Sequence, residues 1–461
     1  MKRLDNFSRF NDLRSAFPLF CYEAFEYNYT GSSLDISFLF TLDKRLQFRP
    51  KIVIPWKENI FMPYEKLSSR ALDNLIFNIG MIELISYWKA ACPPNVVIKP
   101  YGLSADQVAF WKKLYFLGLG EFFYANSIDT TGQQFMQITP AEKQPPSMFG
   151  LPDKEGALVP VGGGKDSAVS MGLLNKWKTD WTPMVINPRP ATEQVILAAG
   201  KSAQNTAWIR REIEPQLLEL NAHGYLNGHT PFSALLAFYS LLIAYLTGRS
   251  DIILSNESSA NEPTIPGTEI NHQYSKSFGF ERDFRIYCRS FISEDLNYFS
   301  LLRPLPEILI AKLFSGMPQY FDAFRSCNAG SKTNSWCGAC PKCLFTFIIL
   351  SPFMEPQQLE HIFGKNLFRE IKLKEILDEL TGQAEIKPFE CIGTTGEVNL
   401  ALRLARARYP GEHLPELLQY YFRHSNADHA SGPMIDSIGY DIDTRHFVPE
   451  NYYELLSGEI A

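Results

Sequence analysis

The sequence predicts an α/β protein in which a central parallel sheet, with helices on its faces, is flanked by an N-terminal α+β domain and a mainly helical C-terminal region. Three observations predict this arrangement. Short apolar runs alternate with helical patterns from residue 157 onward, strand-like alternation is frequent near the N-terminus, and helical periodicity dominates the end of the chain. We place the domains at 1–148, 149–355 and 356–461.

Composition limits the classes of function. The 461 residues are 45% hydrophobic, enough to fill the cores of about three domains. The formal net charge of −6 argues against a protein that binds nucleic acid by neutralising its phosphates. The first six residues lack the apolar core of a signal peptide. We therefore expect a cytoplasmic protein with neither a nucleic-acid nor a membrane partner, and the oligomeric state stays open.

Local patterns in the first domain predict both strands and helices. Alternation and β-branched residues favour strands at 34–42 and 51–55, and two aromatic-rich segments, 71–91 and 105–125, read as core helices. Residues 141–156 have the proline, glycine and charge content of a linker.

The centre of the chain carries a glycine loop between a strand and a helix. A short apolar run ends at Val161, Gly162, Gly163 and Gly164 follow, and Asp166 and Ser167 open a helical segment. Glycines let the backbone approach a ligand closely, and a helix N-terminus offers unpaired N–H groups to phosphate oxygens. The stretch therefore predicts an anion-binding loop, and a simple glycine turn is the alternative.

Further strands are expected at 182–187, 206–213 and 251–255. Ligands of parallel sheets bind outside the carboxyl ends of the strands, so the residues that follow Val161, Ile186 and Leu254 should converge. We expect Asn187 and Asn256 to contact the cofactor there.

The polar stretch 256–277 is the second place to look for the site. His272 and Lys276 are the candidate proton carriers in it. Glu257, a candidate catalytic group, could bind Mg²⁺ or act as a base, as could Glu262 and Glu269, but a solvated acidic surface explains these residues equally well. The candidate substrate contacts are Asn261, Asn271, Gln273 and Tyr274.

The longest apolar run, residues 231–246, predicts a buried helix. Serine and tyrosine side chains interrupt it, and it is shorter than the roughly 20 residues that a membrane span needs. Thr230 is the expected N-cap and Pro231 the expected first helical residue.

Four cysteines, Cys327, Cys337, Cys340 and Cys343, form two interlocked Cys-x-x-Cys pairs and one upstream member. Four thiolates at this spacing predict a closed tetrahedral zinc site with a structural role. An iron–sulfur cluster and free thiols are the alternatives.

The pattern of the C-terminal region predicts helices. Glu397 stands where capping favours an acid, and Cys391 is a candidate thiol base, with a buried core cysteine as the alternative. Helices are expected at 357–370, broken at Gly364, and at 373–380 and 398–408.

The loop Gly162-Gly163-Gly164-Lys165-Asp166-Ser167 resembles the pyrophosphate (PP) loop of the ATP pyrophosphatase superfamily, Ser-Gly-Gly-x-Asp-Ser, with Gly162 in place of the usual serine. The resemblance implies that the six residues bind ATP and that ATP is cleaved at its α-phosphate. It also implies that Asp166 helps to hold Mg²⁺ and that Ser167 donates to phosphate. The cysteine spacing is similar to that of the zinc site in 7-cyano-7-deazaguanine synthase, a member of this superfamily.

A narrower resemblance covers nearly the whole chain. The segments 83–92, 255–261, 271–277, 336–347 and 389–397 resemble the bacterial UDP-N-acetylmuramoyl-L-alanyl-L-glutamate epimerase family. The resemblance implies inversion of the terminal L-glutamate of a UDP-sugar dipeptide, with ATP cleaved to AMP and diphosphate. On this reading Asn256, Glu257, Asn261 and Asn271 position an adenylated carboxylate. Two alternatives stay open: an ATP-dependent amide- or nitrile-forming ligase, and a nucleotide-binding regulator without turnover.

Overall fold

The computed structural model describes residues 3–151, 155–262, 264, 271–272, 274–384, 386–410, 414–424 and 442–460. Strands of these residues form one eleven-stranded, mostly parallel sheet. They are β1 Leu19–Tyr29, β2 Ser33–Leu42, β3 Leu46–Phe48, β4 Lys51–Pro55, β5 Asn95–Ile98, β6 Gln137–Pro140, β7 Ala157–Pro160, β8 Trp181–Ile186, β9 Ala207–Glu212, β10 Asp251–Leu254 and β11 Asn297–Ser300.

Helices cover both faces of the sheet and make up most of the C-terminal region. They are α1 Phe7–Ala16, α2 Ser69–Trp88, α3 Ala105–Gly118, α4 Gly120–Ala125, α5 Lys165–Lys176, α6 Pro190–Ala198, α7 Pro215–Ala222, α8 Phe232–Thr247, α9 Phe278–Phe291, α10 Glu307–Ser315, α11 Pro341–Leu350, α12 Pro356–Phe363, α13 Lys374–Thr381, α14 Thr395–Ala405, α15 Glu416–His424 and α16 Glu450–Ile460.

The strand order is β11-β10-β7-β8-β9-β4-β2-β1-β5-β6, with β3 beside β2. From β11 to β9 all neighbours are parallel. The chain leaves β7 towards β8 and β9 and later returns to β7 from the other side with β10. Strands β7 and β10 therefore form a topological switch point, where parallel sheets open a crevice for ligands.

The sheet continues across the expected boundary at 148. Strand β4 pairs with β9 in antiparallel register, with Ile52 opposite Arg211, and joins the N-terminal strands to the parallel half. The boundaries at 148 and 355 remain predictions.

Alternate residues of the central strands serve two cores, as the period of two in a strand requires. Val159 and Ile253 pack into the core that contains α5, α10 and α11. Leu158 and Ile252 pack into the core on the opposite face, which contains α2, α8 and α9. This double burial explains the nearly continuous apolar runs that mark β7 and β10 in the sequence.

Several details differ from the sequence expectation. Strand β1 was not expected, and the helix at 105–125 is split into α3 and α4. The N-cap of α8 is Pro231 and not Thr230, and the hydroxyl of Thr230 accepts a hydrogen bond from Lys89 Nζ at 2.6 Å. Gly364 ends α12 in the left-handed conformation, as expected. Among the described residues, no helix combines the length and the apolar character that a membrane crossing needs.

Candidate active site

A cavity of about 320 Å³ opens at the switch point between β7 and β10. The expected convergence is confirmed, because residues that follow β7, β8 and β10 all line it. Side chains from the later part of the chain complete the wall. The polar and charged lining includes Asp166, Ser167, Arg189, Asn256, Lys276, Arg325, Asn328, Lys342 and Cys391.

The glycine loop forms one wall of the cavity through Gly162 and Gly164. Of the three glycines only Gly163 has a positive φ, +84°, and a Cβ there would lie 3.1 Å from the backbone nitrogen of Thr192. A side chain at this position would strain the backbone and would crowd the neighbouring backbone of Thr192. At Gly162 a Cβ would meet no described atom within 4 Å, so the departure from serine is not a steric requirement.

Helix α5 begins at Lys165 and directs its N-terminal end towards the loop, with Gly164 as N-cap. Such an end carries free N–H groups and partial positive charge, which suit a phosphate. The hydroxyl of Ser167 lines the cavity and donates to the carbonyl oxygen of Gly164 at 2.9 Å. The Ser167 hydroxyl is thus engaged with the backbone of the loop itself, and its donation to phosphate remains a prediction.

The side chain of Lys165 has another partner. Its ammonium lies 2.6 Å from Glu307 Oε2 and also hydrogen bonds to Asp166, and only 4% of Lys165 is exposed. We therefore expect Lys165 to contact phosphate only through its backbone N–H.

Three carboxylates converge beside the loop. Oxygens of Asp166, Glu257 and Glu307 lie within 4.8 Å of one another. Burial raises the pKa of Glu307 well above its ordinary value; Lys165 opposes the rise, and the neighbouring acids reinforce it. Carboxylate oxygens are the ligands that Mg²⁺ prefers, so the grouping of three carboxylates fits the ion expected at Asp166, with Lys165 neutralising part of their charge.

A thiol and an ammonium also meet in the lining. Lys276 Nζ lies 3.3 Å from Cys391 Sγ. Burial alone would raise the pKa of Cys391, but the positive charge of Lys276 and a hydrogen bond from His272 lower it to about 6. Cys391 is therefore a thiolate at neutral pH, held against a cation inside the cavity.

His272 stands behind Cys391 and is not part of the cavity lining. Its Nδ1 hydrogen bonds to Glu121 Oε2, and His272 also hydrogen bonds to Cys391. Burial would lower the pKa of His272, but these two partners outweigh it and raise the pKa to about 9. The imidazole is thus positively charged at neutral pH.

Arg325 brings a second cation to the glycine loop. Its backbone N–H donates to the Gly163 carbonyl at 2.8 Å, and its side chain lines the cavity. Within the described part of the chain, Arg325 Nε is buried and has no hydrogen-bond partner. One terminal nitrogen of the guanidinium donates to the Phe324 carbonyl at 2.6 Å, so the unpartnered Nε is the atom that is suited to a phosphate oxygen.

The four clustered cysteines meet next to this wall. The Sγ–Sγ distances are 3.8 Å for Cys327–Cys340, 3.7 Å for Cys337–Cys343 and 3.5 Å for Cys340–Cys343. Sulfurs at about 2.3 Å from a tetrahedral zinc would lie about 3.8 Å apart, so the group fits zinc. Gly338, with a φ of +62°, makes the turn inside the first Cys-x-x-Cys pair.

Other predicted residues lie outside the cavity lining. The side chain of Asn187 pairs with both backbone groups of Arg211, at 2.8 and 3.0 Å, and so does not reach a cofactor from this position. Asn261 accepts from the backbone of Phe278 at 2.7 Å, and Asn271 donates to the carbonyl of Ala260 at 2.9 Å.

Two further members of the polar stretch also lie away from the cavity. Tyr274 packs edge-on against Phe280. Glu262 forms an ion pair with Lys387. Gln273 and Glu269 lie outside the described residues.

Sequence reasoning missed Glu121, Glu307 and Arg325. Glu121 and Glu307 carry a weak signal, since each is an acid within an otherwise apolar helical segment. Glu397 was expected only as a cap; it forms a capping box with Thr394 and also accepts from the Glu307 backbone N–H at 2.5 Å. This contact holds the start of α10 against α14.

Two protein-family models match the chain: the MurL N-terminal domain over residues 11–301 and the MurL C-terminal domain over residues 323–427. Three similar relatives carry the name UDP-N-acetyl-alpha-D-muramoyl-L-alanyl-L-glutamate epimerase. That of Xanthomonas oryzae pv. oryzae is 36% identical over 74% of this chain and 76% of its own length. Those of Salinispora tropica and a Micromonospora species are 35% and 34% identical, over 72% and 81% of this chain and 73% and 83% of their own lengths.

Proposed function

Because the chain belongs to the MurL family of UDP-N-acetyl-alpha-D-muramoyl-L-alanyl-L-glutamate epimerases, we propose that it inverts the terminal L-glutamate of UDP-N-acetylmuramoyl-L-Ala-L-Glu after ATP has activated the glutamate α-carboxylate. It is an enzyme, and its relatives act on a UDP-sugar dipeptide by name. Activation by ATP, with AMP and diphosphate as products, is the part that goes beyond those names.

One observation carries the proposal. The phosphate-binding loop at Gly162–Ser167 and the thiolate–ammonium pair of Cys391 and Lys276 line the same cavity of about 320 Å³. A carboxylate bound there could therefore be activated and then lose its α-proton without leaving the site. A nucleotide-binding regulator has no need of a thiolate held against an ammonium beside its nucleotide.

The phosphate end of ATP would lie against the glycine loop and the N-terminal end of α5. Arg325, whose Nε has no partner among the described residues, would bind a phosphate oxygen. Asp166, Glu257 and Glu307 would hold Mg²⁺. When bound, this ion would neutralise phosphate charge during transfer of the adenylyl group.

Activation of the carboxylate avoids an accumulation of negative charge. Removing the α-proton from a free carboxylate would place a second negative charge on the same few atoms. Once the carboxylate is adenylated, the carbonyl of the mixed anhydride can accept that charge as an enolate, which nearby donors stabilise. A proton then returns to the α-carbon on the opposite face. Hydrolysis of the anhydride releases AMP and makes the inversion irreversible.

We assign Cys391 as the base that removes the α-proton. Its thiolate faces the cavity, whereas the candidate base His272 lies behind it. Lys276 would remain protonated, because Cys391, Glu257 and Asp166 together outweigh burial and raise its pKa. It therefore suits stabilisation of the enolate oxygen better than proton abstraction.

The four cysteines would hold a structural zinc ion, which would brace the segment between Arg325 and Cys343 against the glycine loop. Zinc in a closed thiolate shell stabilises a fold and does not activate a substrate.

The function is tested by incubating the protein with ATP, Mg²⁺ and UDP-N-acetylmuramoyl-L-Ala-L-Glu. We expect D-glutamate in the product and one AMP for each inversion. Asp166→Asn should lower the formation of D-glutamate and the release of AMP by about 100-fold, because it removes a carboxylate from the proposed Mg²⁺ site. Asp180→Asn is the matched control, since Asp180 is an exposed residue paired with Arg249. Retention of L-glutamate without AMP in the native protein would refute the proposal.

A further inference from the structure

Behind the cavity, three groups form a hydrogen-bonded series that ends at Cys391. Glu121, on the short helix α4, is 8% exposed and accepts from Nδ1 of His272. His272 in turn hydrogen bonds to Cys391. Neither Glu121 nor His272 lines the cavity, so any influence on the substrate would be exerted through the thiolate.

The surrounding charges favour the anionic form of Cys391 and the cationic form of His272. Cys391 faces two ammonium groups, those of Lys276 and Lys342, in addition to His272. His272 faces Glu121 and Cys391, which both favour its charged form. A cation between two anions is stabilised from both sides, and removing either anion should release its proton more easily.

His229 is the other ring next to Glu121. Its Nδ1 lies 3.2 Å from Glu121 Oε2, and its ring centroid lies 4.7 Å from that of His272. Burial lowers the pKa of His229 to about 4, with Glu121 opposing and His272 and Lys89 reinforcing the change. His229 is therefore neutral at physiological pH, so the charged partner of Glu121 is His272.

We propose that Glu121 is a positioning residue: it orients the imidazole of His272, keeps it positively charged, and so maintains the hydrogen bond that holds Cys391 as a thiolate. The proposal rests on the proposed function for the role of Cys391 as the base. The Glu121–His272 pair itself exists without ATP or substrate, so it can be tested alone.

The test is a pH titration of the histidines by NMR, on full-length protein labelled in its imidazole rings, without nucleotide or substrate. His272→Gln identifies the resonance of His272. In the native protein we expect His272 to titrate near pH 9. In Glu121→Gln the midpoint should fall by at least about one unit, a tenfold change in the proton-binding constant. The matched control is Glu23→Gln, which removes a carboxylate paired with Lys99 on another part of the sheet and should leave the midpoint unchanged.

A midpoint that stays near 9 in folded Glu121→Gln would overturn the proposal. If this variant does not fold, Glu121→Asp replaces it, because its shorter carboxylate should lengthen the contact and lower the midpoint by a smaller amount; an unchanged midpoint there would be equally decisive. The alkaline limb of kcat/KM should move with the midpoint. A shifted midpoint in a protein that makes no D-glutamate would support the Glu121–His272 pair and refute only the proposed function.

Discussion

Replacing Lys276 by methionine removes the nearest cation from Cys391 while keeping most of the side-chain volume. At the observed separation of 3.3 Å, a unit charge pair is worth about 5 kcal/mol if the effective dielectric constant is about 20. That energy corresponds to between three and four pKa units, an upper bound for the effect of Lys276. Since burial and His272 also act on Cys391, we expect its pKa to rise from about 6 to at least about 8.

This change has a calculable effect on the base. At pH 7 the thiolate fraction would fall from about nine-tenths to about one-tenth, a loss of tenfold. Losing the cation that stabilises the enolate should cost a further factor of about 10 or more. We therefore expect proton exchange at the α-carbon to slow by at least about 100-fold.

The assay follows incorporation of deuterium from D₂O at the glutamate α-carbon in the presence of ATP and Mg²⁺. Lys276→Arg is the matched control, because it keeps the positive charge and should retain much more exchange than Lys276→Met. If Lys276→Met incorporated deuterium at the native rate, Lys276 would have no part in either the activation of Cys391 or the stabilisation of the enolate.

Three further outcomes follow from the geometry of the site. The profile of kcat/KM against pH should be bell-shaped. It should rise through about 6 as Cys391 loses its proton, and fall through about 9 as His272 loses its own and with it the hydrogen bond that positions the thiolate; a single rise near 9 would contradict the thiolate assignment. Gly163→Ala should slow release of diphosphate, because φ is +84° and the Cβ would crowd the backbone of Thr192, whereas Gly162→Ser should keep it. Equal activity of the two variants would contradict the arrangement of the loop. Cys337→Ser should lower the bound zinc and the melting temperature, while Cys391→Ser should leave the zinc content unchanged. Metal analysis that finds zinc lost from Cys391→Ser and retained in Cys337→Ser would disprove the four-cysteine site.

The parallel half of the fold could be predicted because its signals are local. The apolar run before Val161, the glycines and the helical pattern after Asp166 each occupy neighbouring positions, and their order determines a strand, a loop and a helix. Strand β1 could not be found in this way. Its charged residues Glu23 and Glu26 obscure the alternation, and its conformation depends on pairing with β2.

The site was only partly predictable, since its essential contacts join distant positions. Lys276 and Cys391 are 115 residues apart, Glu121 and His272 are 151 apart, and a single sequence carries no record of such pairs. Within the polar stretch 256–277, composition could not separate residues that line the cavity from residues that hydrogen bond to the backbone of the loop. Asn256 belongs to the first kind and Asn261 to the second.

Activation of the carboxylate by ATP can be tested by following oxygen. The substrate is UDP-N-acetylmuramoyl-L-Ala-L-Glu with ¹⁸O in both oxygens of the terminal α-carboxylate. If the carboxylate attacks the α-phosphate and water then attacks the carbonyl carbon, one ¹⁸O should appear in each AMP, and the D-glutamate formed should have lost one label. D-glutamate that keeps both labels, or that forms without AMP, would contradict activation by adenylation.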